Sequence, residues 1–244
     1  MTIRVIVNGA DGKMGRETVK AVEREEELKL VAKTGLRDDL AHVIAQTKAN
    51  VVIDFTTASA GFTNASIIIA AGAHPVIGTT GFLPDQIQEL QKRCAKQKLG
   101  GIIAPNFSIG AILMMRFAKQ AAHYYSHVEI IEMHHTGKED SPSGTAIKTA
   151  EMIVAGRKEL IPIKKSRETF PHARGANFEE IAIHSVRLPG LVAHQAVLFG
   201  GRGETLTIRH DSIHRESYMA GVKLSCKKVM EIDHLVYGLD NFLE

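Results

Sequence analysis

The chain has 244 residues, 44% of them hydrophobic, which is enough apolar material for one large domain or two modest ones. A net charge of +3 without a dense basic stripe excludes a typical nucleic-acid-binding protein, and two unpatterned cysteines argue against a disulfide framework. No apolar run approaches the ~20 residues of a transmembrane helix, and the N-terminus lacks the order of a signal peptide. We therefore expect a cytoplasmic protein that binds neither nucleic acid nor a membrane.

The first hundred residues alternate short apolar runs with amphipathic stretches. This alternation predicts an α/β domain built on a doubly wound, Rossmann-like parallel sheet. The run from Val51 to Phe55 is almost entirely apolar, as expected for a parallel strand covered on both faces. The predicted strands are Ile3 to Asn8, Leu28 to Ala32, Val51 to Phe55, Pro75 to Gly78 and Gly101 to Ala104, and the predicted helices are Met14 to Glu27, Asp38 to Lys48, Ser59 to Ala71 and Pro84 to Lys98.

The pattern changes in the second half of the chain and predicts a separate α+β domain with a mostly antiparallel or mixed sheet. Turn signals at Pro189-Gly190 and at Gly200 to Gly203 suggest that consecutive strands pair antiparallel. We place the first domain at residues 1–106, completed by a C-terminal helix at 216–244, and the second at 107–215. The elements predicted here are a helix at Ile109 to Tyr125, a strand at Val128 to Met133, a helix at Ser143 to Gly156, a polar irregular stretch at Arg157 to Asn177, and strands at Glu180 to Leu188, Leu191 to Phe199 and Thr205 to His210.

A glycine-rich turn follows the first predicted strand and leads into the first helix. Glycines permit a tight turn and a close approach to a pyrophosphate, while the helix N-terminus attracts its charge. The alternative is an ordinary tight turn. We predict that the cofactor is bound by Gly9, Ala10, Asp11, Gly12, Lys13 and Met14, with Gly15 completing the motif.

The second predicted strand ends without the acidic residue that usually holds the ribose 2′-hydroxyl of NAD. Lys33 and Arg37 lie near that point instead. Two cations there favour the 2′-phosphate of NADPH, although NADH remains possible and both side chains are equally well explained as solvated loop residues.

Two further loops follow strands of the same sheet, at the carboxyl edge where ligands bind in such folds. Small and hydroxyl-bearing side chains there leave room for a nicotinamide ring and its ribose. Asp54 ends the third strand in the same way, or else caps the next helix. The loop residues that we assign to the cofactor groove are Gly78, Thr79 and Thr80 after the fourth strand, and Ala104, Pro105, Asn106 and Phe107 after the fifth.

Proton donors and anion receptors are concentrated in one loop of the second half. His134 and His135 follow the predicted strand Val128 to Met133, and Lys138 comes shortly after them. Histidine exchanges protons near neutral pH, and a nearby lysine stabilises negative charge or supplies a proton. The helix that begins Ser143-Gly144-Thr145 offers a hydroxyl and backbone N–H groups as a carboxylate cradle, unless Ser143 serves only as an N-cap.

A metal half-site formed by the adjacent histidines and Glu132 is the alternative interpretation of this loop. We do not favour it, because the chain has no H-E-x-x-H motif and adjacent strand residues point in different directions. We predict no metal and a small acidic substrate.

The run from Glu129 to Ala146 resembles the signature of the dihydrodipicolinate reductase family. The resemblance spans nearly the whole chain. It extends to the glycine turn, Asp54-Phe55-Thr56, Gly78 to Phe82, Ala104 to Gly110, Arg174-Gly175 and Ile183 to Phe199.

The resemblance implies a concrete activity. Family members have a Rossmann-like domain for NAD(P)H and an α+β domain for substrate binding and tetramer formation. They deliver hydride to C4 of a cyclic dicarboxylate with loss of water. It also implies catalytic roles for His134 and Lys138, substrate contacts for His135, Gly144 and Thr145, and a homotetramer. Members that use NADH well often carry an acidic residue after the second strand, where this chain has Gly35 and cations.

Two rival functions remain open from the sequence. One is another two-domain NAD(P)-dependent dehydrogenase that acts on a different amino-acid-derived substrate. The other is a non-catalytic NADP-binding sensor, which would need the glycine turn and not the proton donors. For an enzyme, we expect the cofactor groove and the catalytic loop to face each other across the domain cleft.

Overall fold

A computed structural model describes residues 2–159, 162 and 167–243 of the chain. The fold divides into two compact units. The first comprises Met1–Ile109 together with Arg215–Glu244, and the second comprises Gly110–His214. No helix in the described ranges is long and apolar enough to span a bilayer.

In the described ranges, eleven strands and seven α-helices, together with two short 3₁₀ helices, make up these two units. The strands are β1 (Ile3–Asn8), β2 (Leu28–Thr34), β3 (Val51–Asp54), β4 (His74–Ile77), β5 (Gly101–Ile103), β6 (His127–His134), β7 (Ala176–Phe178), β8 (Ile181–Arg187), β9 (Ala193–Gly201), β10 (Glu204–Ser212) and β11 (Leu235–Tyr237). The α-helices are α1 (Lys13–Glu23), α2 (Leu40–Thr47), α3 (Ala58–Ala70), α4 (Pro84–Gln97), α5 (Ile109–Ala121), α6 (Gly144–Gly156) and α7 (Met219–Lys228).

The first unit is a six-stranded parallel sheet with the strand order β11-β5-β4-β3-β1-β2. Ile6, Val52 and Ile77 pack with residues of α2, α3 and α4 in one buried cluster. The intervening side chains Val7 and Ile53 are also fully buried, so the central strands are covered on both faces. This arrangement confirms the predicted Rossmann-like parallel sheet.

The C-terminal segment differs from the single helix predicted for residues 216–244. A 3₁₀ turn at Arg215–Tyr218 precedes α7, which ends at Lys228, and Leu235–Tyr237 then adds β11 beside β5. The prediction was wrong beyond α7 because a three-residue strand is too short to show a period. Leu235 is buried in the sheet core, and Gly238 ends the strand with a φ of +99°.

The second unit is a mixed five-stranded sheet with the order β10-β9-β6-β8-β7, as the predicted fold class required. β9 and β10 form an antiparallel hairpin. The predicted antiparallel pairing of β8 with β9 is wrong, because β6 lies between them, parallel to β8 and antiparallel to β9. The long connection through α6 is what permits the parallel pair.

The stretch from Arg157 to Asn177, predicted to be irregular, holds the beginning of one strand. β7 starts at Ala176 and pairs antiparallel with β8. Within that stretch, residues 160, 161 and 163–166 lie outside the described residues.

The sheet of the second unit has one buried and one partly exposed face. Along β6, Val128, Ile130 and Glu132 are buried on the side of α6, whereas Glu129 and the alternate residues after it are partly exposed. The buried face therefore carries a carboxylate in the middle of an apolar strand pattern.

Both cysteines are free and buried. Burial raises the pKa of Cys94 and of Cys226 to about 12, so neither thiol is an accessible thiolate at neutral pH. They play a packing role and form no disulfide.

Candidate active site

The predicted cofactor segments meet at one edge of the parallel sheet in the first unit. β1, β3, β4 and β5 are consecutive neighbours, so the residues after them share the carboxyl edge. The Phe55 ring lies 5.7 Å, centroid to centroid, from the Phe107 ring in an edge-on contact. A Cβ on Gly78 would overlap the Phe55 ring, so glycine lets the β4 loop close over this residue.

The glycine turn is packed too tightly for side chains. Gly9 has a φ of +79°, and a Cβ there would meet the Phe55 carbonyl. A Cβ on Gly15 would overlap the carbonyl oxygen of Gly9. Gly12 is the N-cap of α1, so the unpaired N–H groups of that helix open onto the turn. Of the other predicted residues, Ala10 is buried, Met14 is half-buried, and Asp11 and Lys13 are exposed.

A buried carboxylate joins three of these loops, and the sequence analysis did not identify this role. Asp54 is fully buried at the end of β3. One of its oxygens accepts hydrogen bonds from Asn8 Nδ2 at 2.7 Å and Asn64 Nδ2 at 2.8 Å. The other accepts from Thr79 Oγ1 at 2.7 Å and Thr56 Oγ1 at 2.8 Å. The network fixes the β4 loop relative to β1.

Asp54 therefore does not cap the next helix, which was one of its two predicted roles. Thr57 is the N-cap residue of α3. A signal was available in the sequence, because Asn8 and Asp54 are polar residues that each directly follow three apolar residues at the end of a strand.

The end of β2 presents the two predicted cations. Lys33 and Arg37 are both exposed. The two carboxylates that follow are engaged with backbone: Asp38 accepts from Gly35 N at 2.8 Å, and Asp39 caps α2 by accepting from the N–H of residue 42 at 3.1 Å. Both acids near the end of β2 are therefore already hydrogen-bonded to backbone N–H groups.

The loop that we predict to be catalytic begins in the second unit at the end of β6. His134 Nδ1 lies 2.5 Å from Glu132 Oε2, and only 13% of the His134 side chain is exposed. His135 follows, half-buried, and its carbonyl accepts from Lys138 N at 3.2 Å. The loop therefore turns immediately after the two histidines, and this turn brings the Lys138 backbone close to His135.

Glu132 is fully buried and forms a bidentate pair with Arg187, a residue that sequence analysis had not singled out. Arg187 Nη1 donates to Oε2 at 2.9 Å and Nη2 donates to Oε1 at 2.8 Å. Burial raises the pKa of the Glu132 carboxyl, but hydrogen bonds from His134 and Arg187 outweigh it and hold the pKa at about 2.

This pairing argues against the metal half-site. Both Glu132 oxygens already accept hydrogen bonds from a guanidinium, which would repel a metal cation. In the part of the chain that the structure describes, no group of three His, Cys, Asp or Glu side chains could hold a metal ion.

The predicted carboxylate cradle lies at the N-terminus of α6. Ser143 is its N-cap: the buried hydroxyl oxygen accepts from Ala146 N at 3.2 Å, and the Ser143 N–H donates to Glu132 at 3.3 Å. Its hydroxyl is therefore directed into the helix start. Gly144 and Thr145 are the first two residues of the helix and stand at its positive end.

Lys138 is held by a neighbouring carboxylate. Its Nζ lies 2.6 Å from Asp140 Oδ1, and 58% of the Asp140 side chain is exposed. The ammonium of Lys138 lowers the pKa of the Asp140 carboxyl, and the Gly144 N–H contributes to the same effect. An acidic side chain of the loop itself is therefore paired with Lys138.

The depressed pKa of Glu132 predicts a specific acid sensitivity. Since the folded-state pKa is about 2 and the ordinary value is 4.5, its contribution is present above pH 4.5 and is lost as the pH falls towards 2. The difference corresponds to roughly 3 kcal/mol. We expect denaturant midpoints to fall more between about pH 6 and about pH 3 in wild type than in Glu132→Gln. Equal falls in the two proteins would contradict this.

The comparisons with known proteins agree along the whole chain. Two family models match, "Dihydrodipicolinate reductase, N-terminus" over residues 3–107 and "Dihydrodipicolinate reductase, C-terminus" over residues 110–243. A 4-hydroxy-tetrahydrodipicolinate reductase of Coxiella burnetii is 56% identical over 243 residues, and one of Legionella pneumophila is 52% identical over 246, each covering 100% of both chains. A solved structure, a dipicolinate-bound dihydrodipicolinate reductase from Paenisporosarcina sp. TG-14, has a TM-score of 0.91 and 45% identity over 100% of both chains.

Proposed function

Because the chain belongs to the dihydrodipicolinate reductase family and is a nicotinamide-dependent reductase of the lysine and diaminopimelate pathway, we propose the reaction and the residues that carry it out. The substrate is (2S,4S)-4-hydroxy-2,3,4,5-tetrahydrodipicolinate, reduced at C4 with loss of water to tetrahydrodipicolinate. The observation that carries this assignment is the short connection between β6 and α6, which brings His134, Lys138 and the N-terminus of α6 into one segment of the chain.

The glycine turn of the first unit suits a dinucleotide. Gly9 and Gly15 leave no room for side chains, so the backbone there is free to approach a pyrophosphate. The N-terminus of α1 supplies N–H donors to it. When bound, the reduced nicotinamide supplies the hydride. The residues that would hold the dinucleotide are Gly9, Ala10, Asp11, Gly12, Lys13, Met14, Gly78, Thr79, Thr80, Ala104, Pro105, Asn106 and Phe107.

The second unit would hold the dicarboxylate. The N–H groups at Gly144 and Thr145 and the Lys138 ammonium are donors of the kind a carboxylate needs, and His135 stands beside them. A substrate carboxylate would displace Asp140 from Lys138, exchanging one charge-assisted hydrogen bond for another. The Paenisporosarcina relative binds dipicolinate, a dicarboxylate of the same ring size.

Proton transfer falls to His134 and Lys138. His134 is anchored through Nδ1, which leaves Nε2 as the atom that exchanges a proton. The Lys138 ammonium stabilises the charge that develops on the substrate or supplies a proton itself. Both side chains are only partly exposed, so solvent competes weakly for these contacts.

The assignment is tested by NADPH oxidation at 340 nm. We expect turnover with freshly prepared 4-hydroxy-tetrahydrodipicolinate and none with simple 2-oxo acids. Turnover of a 2-oxo acid alone would favour another two-domain dehydrogenase. NADPH binding without any turnover would favour the sensor and refute the assignment.

We also propose that NADPH is preferred over NADH. Lys33 and Arg37 are exposed at the end of β2, and the two acids that follow them, Asp38 and Asp39, already accept hydrogen bonds from backbone N–H groups. A charge-assisted hydrogen bond to the 2′-phosphate contributes about 1.5–3 kcal/mol, so removing it costs roughly 10-fold or more in affinity.

The corresponding prediction compares kcat/KM for the two cofactors. The double variant Lys33→Ala, Arg37→Ala should lower kcat/KM for NADPH roughly 10-fold or more and leave that for NADH nearly unchanged. Lys92→Ala, which removes an exposed lysine from α4, is the matched control. Equal losses with both cofactors would show that these cations do not bind the 2′-phosphate.

A homotetramer in the cytoplasm completes the proposal. The face of the second sheet opposite α6 carries partly exposed Ile131 and Met133 and the exposed Leu198. A second copy of the chain would cover this surface. Cytoplasmic location is supported by the two free, buried cysteines, which suit a reducing compartment.

A further inference from the structure

One buried carboxylate links the proton donor to the substrate cradle. Glu132 Oε2 lies 2.5 Å from His134 Nδ1, and Glu132 Oε1 accepts from the N-cap residue Ser143 at 3.3 Å. Arg187 donates to both oxygens. The four groups belong to three elements, β6, β8 and the start of α6, and all lie within the second unit.

We propose that Glu132 is a positioning residue that fixes the tautomer of His134 so that Nε2 is the proton-exchanging atom, and that Arg187 holds Glu132 in place for this task. The proposal rests on the proposed function only for its kinetic consequence. The tautomer itself is a property of the free protein.

The chemistry of the contact determines the tautomer. An ionised carboxylate is a hydrogen-bond acceptor only, so His134 Nδ1 must carry the proton that lies between them. The neutral ring then has its lone pair at Nε2, and the protonated ring carries its transferable proton there.

Arg187 keeps both oxygens of Glu132 in the role of hydrogen-bond acceptors. A guanidinium has donors only, so both Glu132 oxygens must be acceptors where Arg187 meets them. The same Nη2 group donates to the Asp140 carbonyl at 2.7 Å, which ties the catalytic loop to β8. Breaking the Arg187 pair would therefore release Glu132 and the loop together.

Replacement of Glu132 by glutamine should reverse the hydrogen bond. Arg187 donates to the positions of both Glu132 oxygens. The glutamine oxygen can accept at only one of these two positions, so the glutamine NH₂ must occupy the other. We expect the glutamine NH₂ to face His134, because the histidine ring can accept a hydrogen bond at Nδ1. The other position faces the Ser143 N–H, which can only donate. The neutral His134 ring then carries its proton on Nε2 and has its lone pair at Nδ1.

The direct test is ¹⁵N NMR of histidine-labelled protein at alkaline pH, with the His134 signals assigned by their loss in His134→Gln. We expect the Nδ1–H tautomer in wild type and the Nε2–H tautomer in Glu132→Gln. Glu129→Gln is the matched control: Glu129 accepts from His184 Nε2 at 2.8 Å and pairs with Arg174 on the opposite face of the same strand. It should change the His184 signals and leave those of His134 unchanged.

Kinetics provides the second arm. We expect Glu132→Gln to lower kcat roughly 10²-fold, the lower end of what general acid–base catalysis supplies, with much smaller changes in substrate KM and in the Kd for NADPH. A variant that merely loosens the fold would raise KM and Kd as well and leave the tautomer as it was.

Each outcome decides the question. An Nε2–H tautomer in wild type overturns the proposal, and that spectrum requires no variant to fold. Wild-type kcat in a folded Glu132→Gln also overturns it. If wild type shows the Nδ1–H tautomer but no reductase activity, the proposed function fails while the positioning of His134 stands.

Discussion

His134→Gln is expected to lower kcat by roughly 10²–10⁴, the range that a positioned general acid or base contributes. The side chain keeps a similar length and polarity but cannot exchange a proton. Because His134 is in the second unit and the glycine turn is in the first, the Kd for NADPH should change little. Lys138→Ala should also lower kcat, and it should raise the substrate KM because an ammonium that attracts a carboxylate is removed.

Steady-state kinetics combined with NADPH titration separates these effects. His123→Gln is the matched control, since that histidine is exposed and contacts the neighbouring Tyr124 ring. Unchanged kcat in both His134→Gln and Lys138→Ala would remove these residues from the mechanism. An equal loss in His123→Gln would point to a general effect of substitution in the second unit.

The second large effect is expected for Gly15→Ala. A Cβ at this position overlaps the backbone of Gly9 and Ala10, and backbone cannot yield as a side-chain tip does. Overpacking of this kind typically costs about 1–3 kcal/mol. We expect α1 to shift to relieve the overlap, which moves its N-terminus away from the glycine turn. The Kd for NADPH should then rise by roughly 10–100-fold, which is the affinity change that corresponds to the overpacking free energy.

Fluorescence titration with NADPH and thermal unfolding measure the two parts of this prediction. Gly200→Ala is the matched control, because a Cβ there meets only the His127 side chain at 3.8 Å, an ordinary van der Waals distance. NADPH affinity equal to wild type in a folded Gly15→Ala protein would show that the turn does not bind the dinucleotide.

Sequence patterns predicted the elements whose signals are local. The strand Ile3–Asn8 is found as predicted, because a short run that is mostly apolar and leads into a glycine-rich turn is typical of a buried strand. Helix α1 ends at Glu23, four residues before the predicted end, because the acidic residues that follow contribute nothing to a buried face. β11 could not be predicted, since its three residues become a strand only by pairing with β5.

The same distinction applies to the candidate site. His134, Lys138 and the α6 start lie within one short stretch, so their association was visible along the chain. Arg187 is more than fifty residues from Glu132, and only the parallel pairing of β6 with β8 brings them together. The sequence predicted that β8 pairs with β9 and not with β6, so the buried Glu132–Arg187 pair could not be predicted.

Asp54 illustrates a related limit. Its partners come from the ends of β1 and β4 and from α3, so its role depends on the strand order of the sheet. A strand-terminal aspartate in isolation looks the same whether it caps a helix or joins several loops. The structure distinguishes the two because no helix N–H is among the partners described.

The most direct test of the central claim is a crystal structure with NADPH and dipicolinate bound together. We predict that the nicotinamide C4 lies about 3–3.5 Å from the dicarboxylate ring, as hydride transfer requires, with the carboxylates on Lys138 and the α6 start. Dipicolinate bound in a cavity that the nicotinamide does not reach, with His134 on another surface, would contradict the account.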